Sequence, residues 1–536
     1  MFYNNKIWIG DADGEKICIE PKMANRHGII AGATGTGKTI TLKVLAESFS
    51  DAGVPVFLAD VKGDLAGMCR PGADNENMQK RIADFGLDAC GFNYQSYPTV
   101  FWDIFAKKGI PLRTTISEMG PLLLSKLMDL NDTQTDIMSI VFKIADDNNL
   151  LLIDTKDLKA MLQHVSENNK EYALEYGNIA KQSIGAILRN LVALEAEGAD
   201  QFFGEPALNM ADWFTTGAGG KGTINVLDCQ VLISNPTMYS TFLLWMMSEL
   251  FETLPEVGDL DKPRMVFFFD EAHLLFKDIS KALQEKIEQV VKLIRSKGVG
   301  IYFITQIPRD IPDTILAQLG NKVQHALRAY TPAEEKAVKA TANSFRPNPE
   351  FKTIDVLTAL GTGEALISVL DDDGIPGIVQ KCRVLPPQSL MGPITDEDRQ
   401  KEINLSNLSL RYQNMEDRDS AYEFFLRYNA QAAEEAAAEK ERIAAEKQAE
   451  KERIAAEKLA AKEKAAAEKK AQKEAEKKQK ALKSSVKKVA STTGGTIGRE
   501  LGKTVGNSIG GKFGKTLGGN IGASLGRNIL GTFFKS

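Results

Sequence analysis

The sequence predicts an α/β fold around a mainly parallel sheet, and three observations carry that prediction. Short apolar runs rich in β-branched and aromatic residues alternate with longer helical patterns from residue 1 to about 390. One of these runs leads into a glycine-rich turn that opens a helical stretch. Another ends in two adjacent carboxylates.

The expected strands are 27–32, 54–60, 223–228, 264–270, 299–305, 323–329 and 364–370. Between the second and third lies 104–212, where TISEMGPLLLSKLMDL and QSIGAILRNLVALEAEG place apolar residues near a 3.6-residue period. This segment is expected as a helical subdomain set into a core made of 1–103 and 213–390. A connecting segment, 391–429, follows. Beyond about 430 the composition turns to Ala, Glu and Lys, with the 11-residue unit EKERIAAEKQA repeated as EKERIAAEKLA. Strong helix formers with Glu-to-Lys pairs one turn apart predict one long solvated helix over 430–484. Its few large apolar side chains, Ile443, Ile454 and Leu459, argue against a coiled coil, although an 11-residue period matches a right-handed supercoil.

In 485–536 glycine recurs every fourth residue from Gly494 to Gly526, and from Gly498 onward each is preceded by an apolar residue. Small residues one turn apart let helix backbones approach closely, so the tail is expected as a helical hairpin or self-association element. A disordered basic tail and a membrane- or nucleic-acid-touching segment are the alternatives. The tail carries eight Lys or Arg against one Glu, while the whole chain has a net charge of -5, so an acidic body ends in a basic extension. The five cysteines (Cys18, Cys69, Cys90, Cys229, Cys382) form no CxxC pair, which excludes a signalled zinc site or disulfide framework and suits a reducing cytoplasm. No apolar stretch reaches the roughly 18 residues of a membrane span.

The chemistry is concentrated in two motifs. Gly32-Ala33-Thr34-Gly35-Thr36-Gly37-Lys38-Thr39 satisfies GxxxxGK[ST] between an apolar strand and a helical run, the context in which backbone N–H groups and a helix N-terminus cradle phosphates. Lys38 is expected on the β- and γ-phosphates of ATP and Thr39 on Mg²⁺; Thr41, further into the helix, is grouped with the nucleotide-binding residues. The run Met265–Phe269 delivers Asp270 and Glu271, with Asp270 expected in the Mg²⁺ shell and Glu271 polarising the attacking water. Gln306, after the strand VGIYFIT, is placed to sense the γ-phosphate. Arg295 and, as its competitor, Arg328 are candidates for an arginine offered to a neighbouring subunit's ATP. Asp60 has a supporting position at the end of the strand after the P-loop helix, and His273 is expected as a local hydrogen-bonding residue.

In the order of these motifs, and in the stretch LGNKVQHALRAYTPAEEKAV, the chain resembles the HerA-FtsK class of ATPases, and most of all a bacterial branch of HerA-like proteins. The resemblance covers residues 1 to about 390 and implies a RecA-like P-loop core, homohexameric rings with ATP between subunits, and relatives that move DNA. HerA proteins place a small β-barrel before this core, whereas only some 26 residues precede the P-loop strand here.

Four functions stand against these observations. The leading expectation is an oligomeric DNA translocase or helicase-like motor; an ATPase working on a protein or at an envelope-associated assembly is the alternative. A DEAH-box RNA helicase is rejected on spacing, because Lys38 and Asp270 stand 232 positions apart. A non-hydrolysing scaffold conflicts with an intact Glu271.

Overall fold

The computed structural model describes residues 1–276 and 281–483. One compact unit covers Met1–Glu434, and a second starts at Glu435. The glycine-repeat tail expected over 485–536 lies outside the described residues.

Among the described residues thirteen strands join one sheet: β1 (Phe2–Tyr3), β2 (Lys6–Ala12), β3 (Glu15–Ile19), β4 (Gly28–Ala31), β5 (Val56–Asp60), β6 (Thr99–Asp103), β7 (Ile110–Pro111), β8 (Ile224–Asp228), β9 (Met265–Phe269), β10 (Val299–Thr305), β11 (Asn321–Gln324), β12 (Glu364–Ser368) and β13 (Gln380–Val384). The order β11-β4-β10-β9-β5-β8-β6-β7 is parallel throughout. This is the expected RecA-like core, with β10 inserted between the P-loop strand β4 and the acid-bearing β9. Strands β5, β8, β9 and β10 are buried at every residue, as they must be when helices cover both faces. The far edge is antiparallel: β11 pairs β12, β12 pairs β13, and β13 pairs β2 of the N-terminal β1–β3 ribbon.

Two differences from the sequence reading have plain physical causes. The strand expected over 323–329 is β11, which stops at Gln324 because its partner β4 ends at Ala31; beyond it His325 N donates to Ala31 O and Ala326 O accepts from Ala33 N of the P-loop. Strands β1–β3 and β13 carry polar, partly exposed residues that break the apolar pattern of a buried strand.

Between β7 and β8 stand helices Ile116–Leu127, Asp132–Asp147, Thr155–Glu167, Asn169–Tyr176, Lys181–Ala196 and Ala199–Phe202. Three of their starts are fixed by capping boxes, Thr115 with Glu118, Asn131 with Gln134 and Asp154 with Asp157. Residues 391–429 lie packed on the core. Arg399 of the Asp396–Leu405 helix pairs with Asp228 at 3.2 Å, the fully buried Tyr412 receives a bond from Arg113 on its carbonyl at 2.7 Å, and the Ser420 hydroxyl donates to Asp157 at 2.6 Å. The helix Ala421–Lys483 then runs for 63 residues. Among the described residues no helix is long and apolar enough to cross a membrane.

Candidate active site

The parallel strands end at one edge, and that edge carries the site. Thr305 of β10 opposes Ala31 of β4, and Phe269 of β9 opposes Phe303 of β10. The 32–39 loop, Asp270 with Glu271, and Gln306 therefore leave the sheet side by side, with Gln306 exposed to solvent.

The loop is held by its neighbours. Gly32 N donates to Thr305 O at 3.3 Å, Ala33 N to Ala326 O at 2.9 Å, and the Thr36 hydroxyl to Ala33 O at 2.7 Å. A Cβ on Gly32 would stand 2.5 Å from that of His325, so only glycine fits there. The helix Lys38–Asp51 begins directly after Gly37. Its first turn has no acidic residue, leaving its N–H groups and positive end available to an anion. Lys38 Nζ donates to the carbonyls of Gly32 and Ala33 at 2.6 and 3.1 Å, folded onto the loop it is expected to serve. Burial lowers its pKa, and the charges of Glu271 and Asp270 oppose that shift.

The acidic pair sits where β9 ends. Asp270 Oδ1 accepts from Glu271 N at 2.9 Å, and the Asp270 carbonyl accepts from the Tyr239 hydroxyl at 2.5 Å. Burial, with the adjacent Glu271 charge, raises the Asp270 pKa to about 6. Glu271 has φ 48°, a left-handed conformation that costs a side-chain-bearing residue about 1–3 kcal/mol. Among the described residues its buried Oε2 has no hydrogen-bond partner; it lies 3.4 Å from Nδ1 of His273, which likewise has none there. A strained carboxylate with an unused acceptor is poised for a ligand or water. Together with Lys38, Thr39 and Asp270 it fits a Mg²⁺-triphosphate.

The remaining expected residues are placed as follows. Thr41 is fully buried, and its hydroxyl is spent on His325 at 2.8 Å, beneath the loop. Asp60 receives Gly63 N at 2.7 Å and Leu65 N at 3.1 Å, so it shapes the turn after β5; burial raises its pKa to about 7. Arg295 precedes β10 and pairs with Asp259 at 3.5 Å; it lies at the opposite end of the sheet from its own P-loop. Arg328, on the P-loop side, is anchored to the carbonyls of Thr358 and Leu360.

Two contributors were missed. His325 lies within the quoted LGNKVQHALRAYTPAEEKAV stretch, yet nothing in its spacing announces that it braces the loop. Lys62 acts electrostatically on both Lys38 and Asp270, and its place in Asp60-Val-Lys-Gly-Asp64 was the available signal.

The description "Helicase HerA-like C-terminal" matches residues 6–513. The chain is 21% identical over 378 residues to the DNA double-strand break repair helicase HerA of Sulfurisphaera tokodaii, covering 68% of this chain and 67% of the relative. With its counterpart from Sulfolobus acidocaldarius the identity is 20% over 375 residues, with the same coverages. Among solved structures, the plasmid coupling protein TrwB in complex with ADP and Mg²⁺ is similar with a TM-score of 0.46 and 12% identity, over 70% of this chain and 88% of that one. With a family match that runs nearly the length of the chain and a P-loop set beside an acidic pair, the protein belongs to the HerA-like helicase C-terminal family and is a P-loop ATPase.

Proposed function

We propose that this chain is an ATP-driven motor that assembles as a homohexameric ring and translocates DNA in a helicase-like manner. The observation that carries the catalytic part is Glu271, held in a strained left-handed turn beside Asp270 and Lys38 with a carboxylate oxygen that has no hydrogen-bond partner among the described residues. In this reading Lys38 and the loop N–H groups hold the β- and γ-phosphates, and Glu271 takes the proton of the attacking water. Thr39 and Asp270 would hold Mg²⁺, which neutralises charge on the phosphates. Gln306, at the tip of the strand between β4 and β9, reports whether the γ-phosphate is present. An arginine completes the site from the next subunit. In a head-to-tail ring the donating surface differs from the receiving one, and Arg295, at the sheet end away from its own P-loop, satisfies that condition. Family membership and the HerA relatives' printed names support DNA as the polymer moved.

The test is ATP hydrolysis by the purified chain with and without duplex and single-stranded DNA, with Lys38→Ala and Glu271→Gln as controls. Severalfold stimulation by DNA, lost in both variants, is expected. Hydrolysis indifferent to DNA would turn attention to a protein substrate or an envelope-associated assembly.

A further inference from the structure

A cavity of about 740 Å³ opens at the end of the sheet away from the P-loop. Arg264, the residue before β9, lines it, whereas Asp270 and Glu271 follow the other end of that strand. The volume falls within the roughly 300–1,000 Å³ of sites built for small molecules. Four parts of the chain form the walls: Arg264 of the core, Glu249 near the end of the Pro236–Thr253 helix, Glu118 with the 205–211 stretch of the helical insertion, and the segment 411–418.

Most charges on these walls are matched within the walls. Arg418 Nε pairs with Glu205 at 2.6 Å, and Arg411 with Asp212 at 2.8 Å. Glu118 caps its own helix, accepting from the Thr114 hydroxyl at 3.0 Å and from Thr115 N at 3.2 Å. Glu416 N donates to Glu205 O at 2.8 Å, which fastens the 411–418 segment to the insertion.

Two charges are left over. The Arg264 guanidinium lies over the Phe214 ring, 5.4 Å from its centroid, and its Nη1 is buried with no hydrogen-bond partner among the described residues. Glu249 is half-buried, and among the described residues its carboxylate makes no hydrogen bond or ion pair, with Arg264 or with any other group. Burial, followed by the charges of Glu118 and Glu252, raises its pKa, and no cation offsets them.

A buried guanidinium without an acceptor and a shielded carboxylate without a cation are each unfavourable, and one ligand of complementary charge relieves both. A carboxylate matches the planar fork of arginine, and an ammonium matches the acids. Leu208, Met210 and Leu254, all buried, add apolar surface to the same walls. We propose that this cavity binds a small zwitterion, an amino acid or short peptide with both ends free. Its carboxylate lies on Arg264, its ammonium at Glu249 and Glu118, and its apolar side chain against Leu208, Met210 and Leu254.

The test is titration calorimetry on the full chain with L-leucine and the tripeptide alanyl-leucyl-alanine, each also with its amine acetylated or its carboxyl amidated. Saturable binding of at least one free probe is expected, and which of them binds more tightly tells amino acid from peptide. No saturation by either up to about 10 mM overturns the proposal. Amidation should weaken wild-type binding about tenfold or more, yet weaken binding by Arg264→Gln less than about twofold further. Acetylation and Glu249→Gln should show the same non-additivity. Wild-type affinity in both variants, or capped probes that bind the wild-type chain as well as free ones, overturns the proposal. Each substitution removes a charge without a partner, so the thermal unfolding midpoint should hold or rise. A lowered midpoint in both variants would mean that the two charges serve the fold instead, and overturns the assignment. Should a variant fail to fold, the capped probes on the wild-type chain decide.

Discussion

The ring of His325 receives the Thr41 hydroxyl on Nε2 at 2.8 Å, which ties β11 to the first turn of the P-loop helix. The proton arrangement is fixed by the other ring nitrogen: Nδ1 lies 2.9 Å from the Glu364 carbonyl, which can only accept, so Nδ1 carries the proton. Burial lowers the His325 pKa to about 4 and keeps the ring neutral. Thr41→Val keeps the shape and strands a buried acceptor, so a loss of about 1–3 kcal/mol is expected in denaturant unfolding. KM for ATP should rise with it, because the brace sits under the loop.

Glu271→Gln should abolish turnover while leaving ATP binding close to wild type. General-base catalysis of this kind contributes about 10²–10⁴-fold. Steady-state hydrolysis combined with equilibrium binding of an ATP analogue separates the two effects. A variant that keeps more than a tenth of wild-type turnover would assign the base elsewhere.

Arg399 and Asp228 form an ion pair whose side chains are only 6% and 4% exposed. Removing one partner leaves a buried charge uncompensated, so Arg399→Ala should cost about 3–5 kcal/mol. The double variant Arg399→Met with Asp228→Asn should recover most of that loss, as read by chemical denaturation.

His27, His164 and His325 all have pKa values lowered to about 4 by burial, from an ordinary 6.5. Between those values the unfolded chain binds more protons than the folded one. The stability these groups contribute is therefore full above pH 6.5 and lost as pH falls toward 4. Asp60 and Asp270, with raised pKa values, act in the opposite direction, so the clean measurement is a difference. His164 stacks on Phe425 with ring centroids 4.4 Å apart, and His164→Phe retains a ring there. Its stability should fall less steeply than wild type between pH 6.5 and 4, by up to about 1.4 kcal/mol per pH unit.

The two arginine candidates differ in what their removal does to the fold. The Arg295–Asp259 pair is exposed and worth at most about 1 kcal/mol. Arg328 holds two carbonyls at the end of the Thr353–Ala359 helix. Arg295→Ala should therefore leave thermal unfolding unchanged and suppress hydrolysis. Unaltered turnover in that variant would shift the role to Arg328.

How much of this was legible follows from the kind of signal each part leaves. Met265–Phe269 and Val299–Thr305 are buried on both faces and read as unbroken apolar runs, so these central parallel strands could be placed from sequence, whereas the short parallel edge strands Thr99–Asp103 and Ile110–Pro111 could not. The 32–39 loop is contiguous and its chemistry is local. The antiparallel edge was not legible, because strands such as Gln380–Val384 alternate polar and buried residues over only five positions. The His325 brace was invisible for a different reason: it arises from a contact between segments more than 200 residues apart, as does the anchoring of Ser389 on Glu47.

Glu47 and Lys43, buried in the P-loop helix and bonded to Ser389 and to the Leu390 carbonyl, also determine where this fold can be divided. A fragment cut after Val384, the final residue of the sheet, would leave a carboxylate and an ammonium sunk in the P-loop helix with their partners removed. It would likewise strip Asp228 of Arg399. The smallest piece that a gene fusion or a designer can transplant intact ends beyond Ser420, since Tyr412 and Ser420 hold Arg113 and Asp157 of the body.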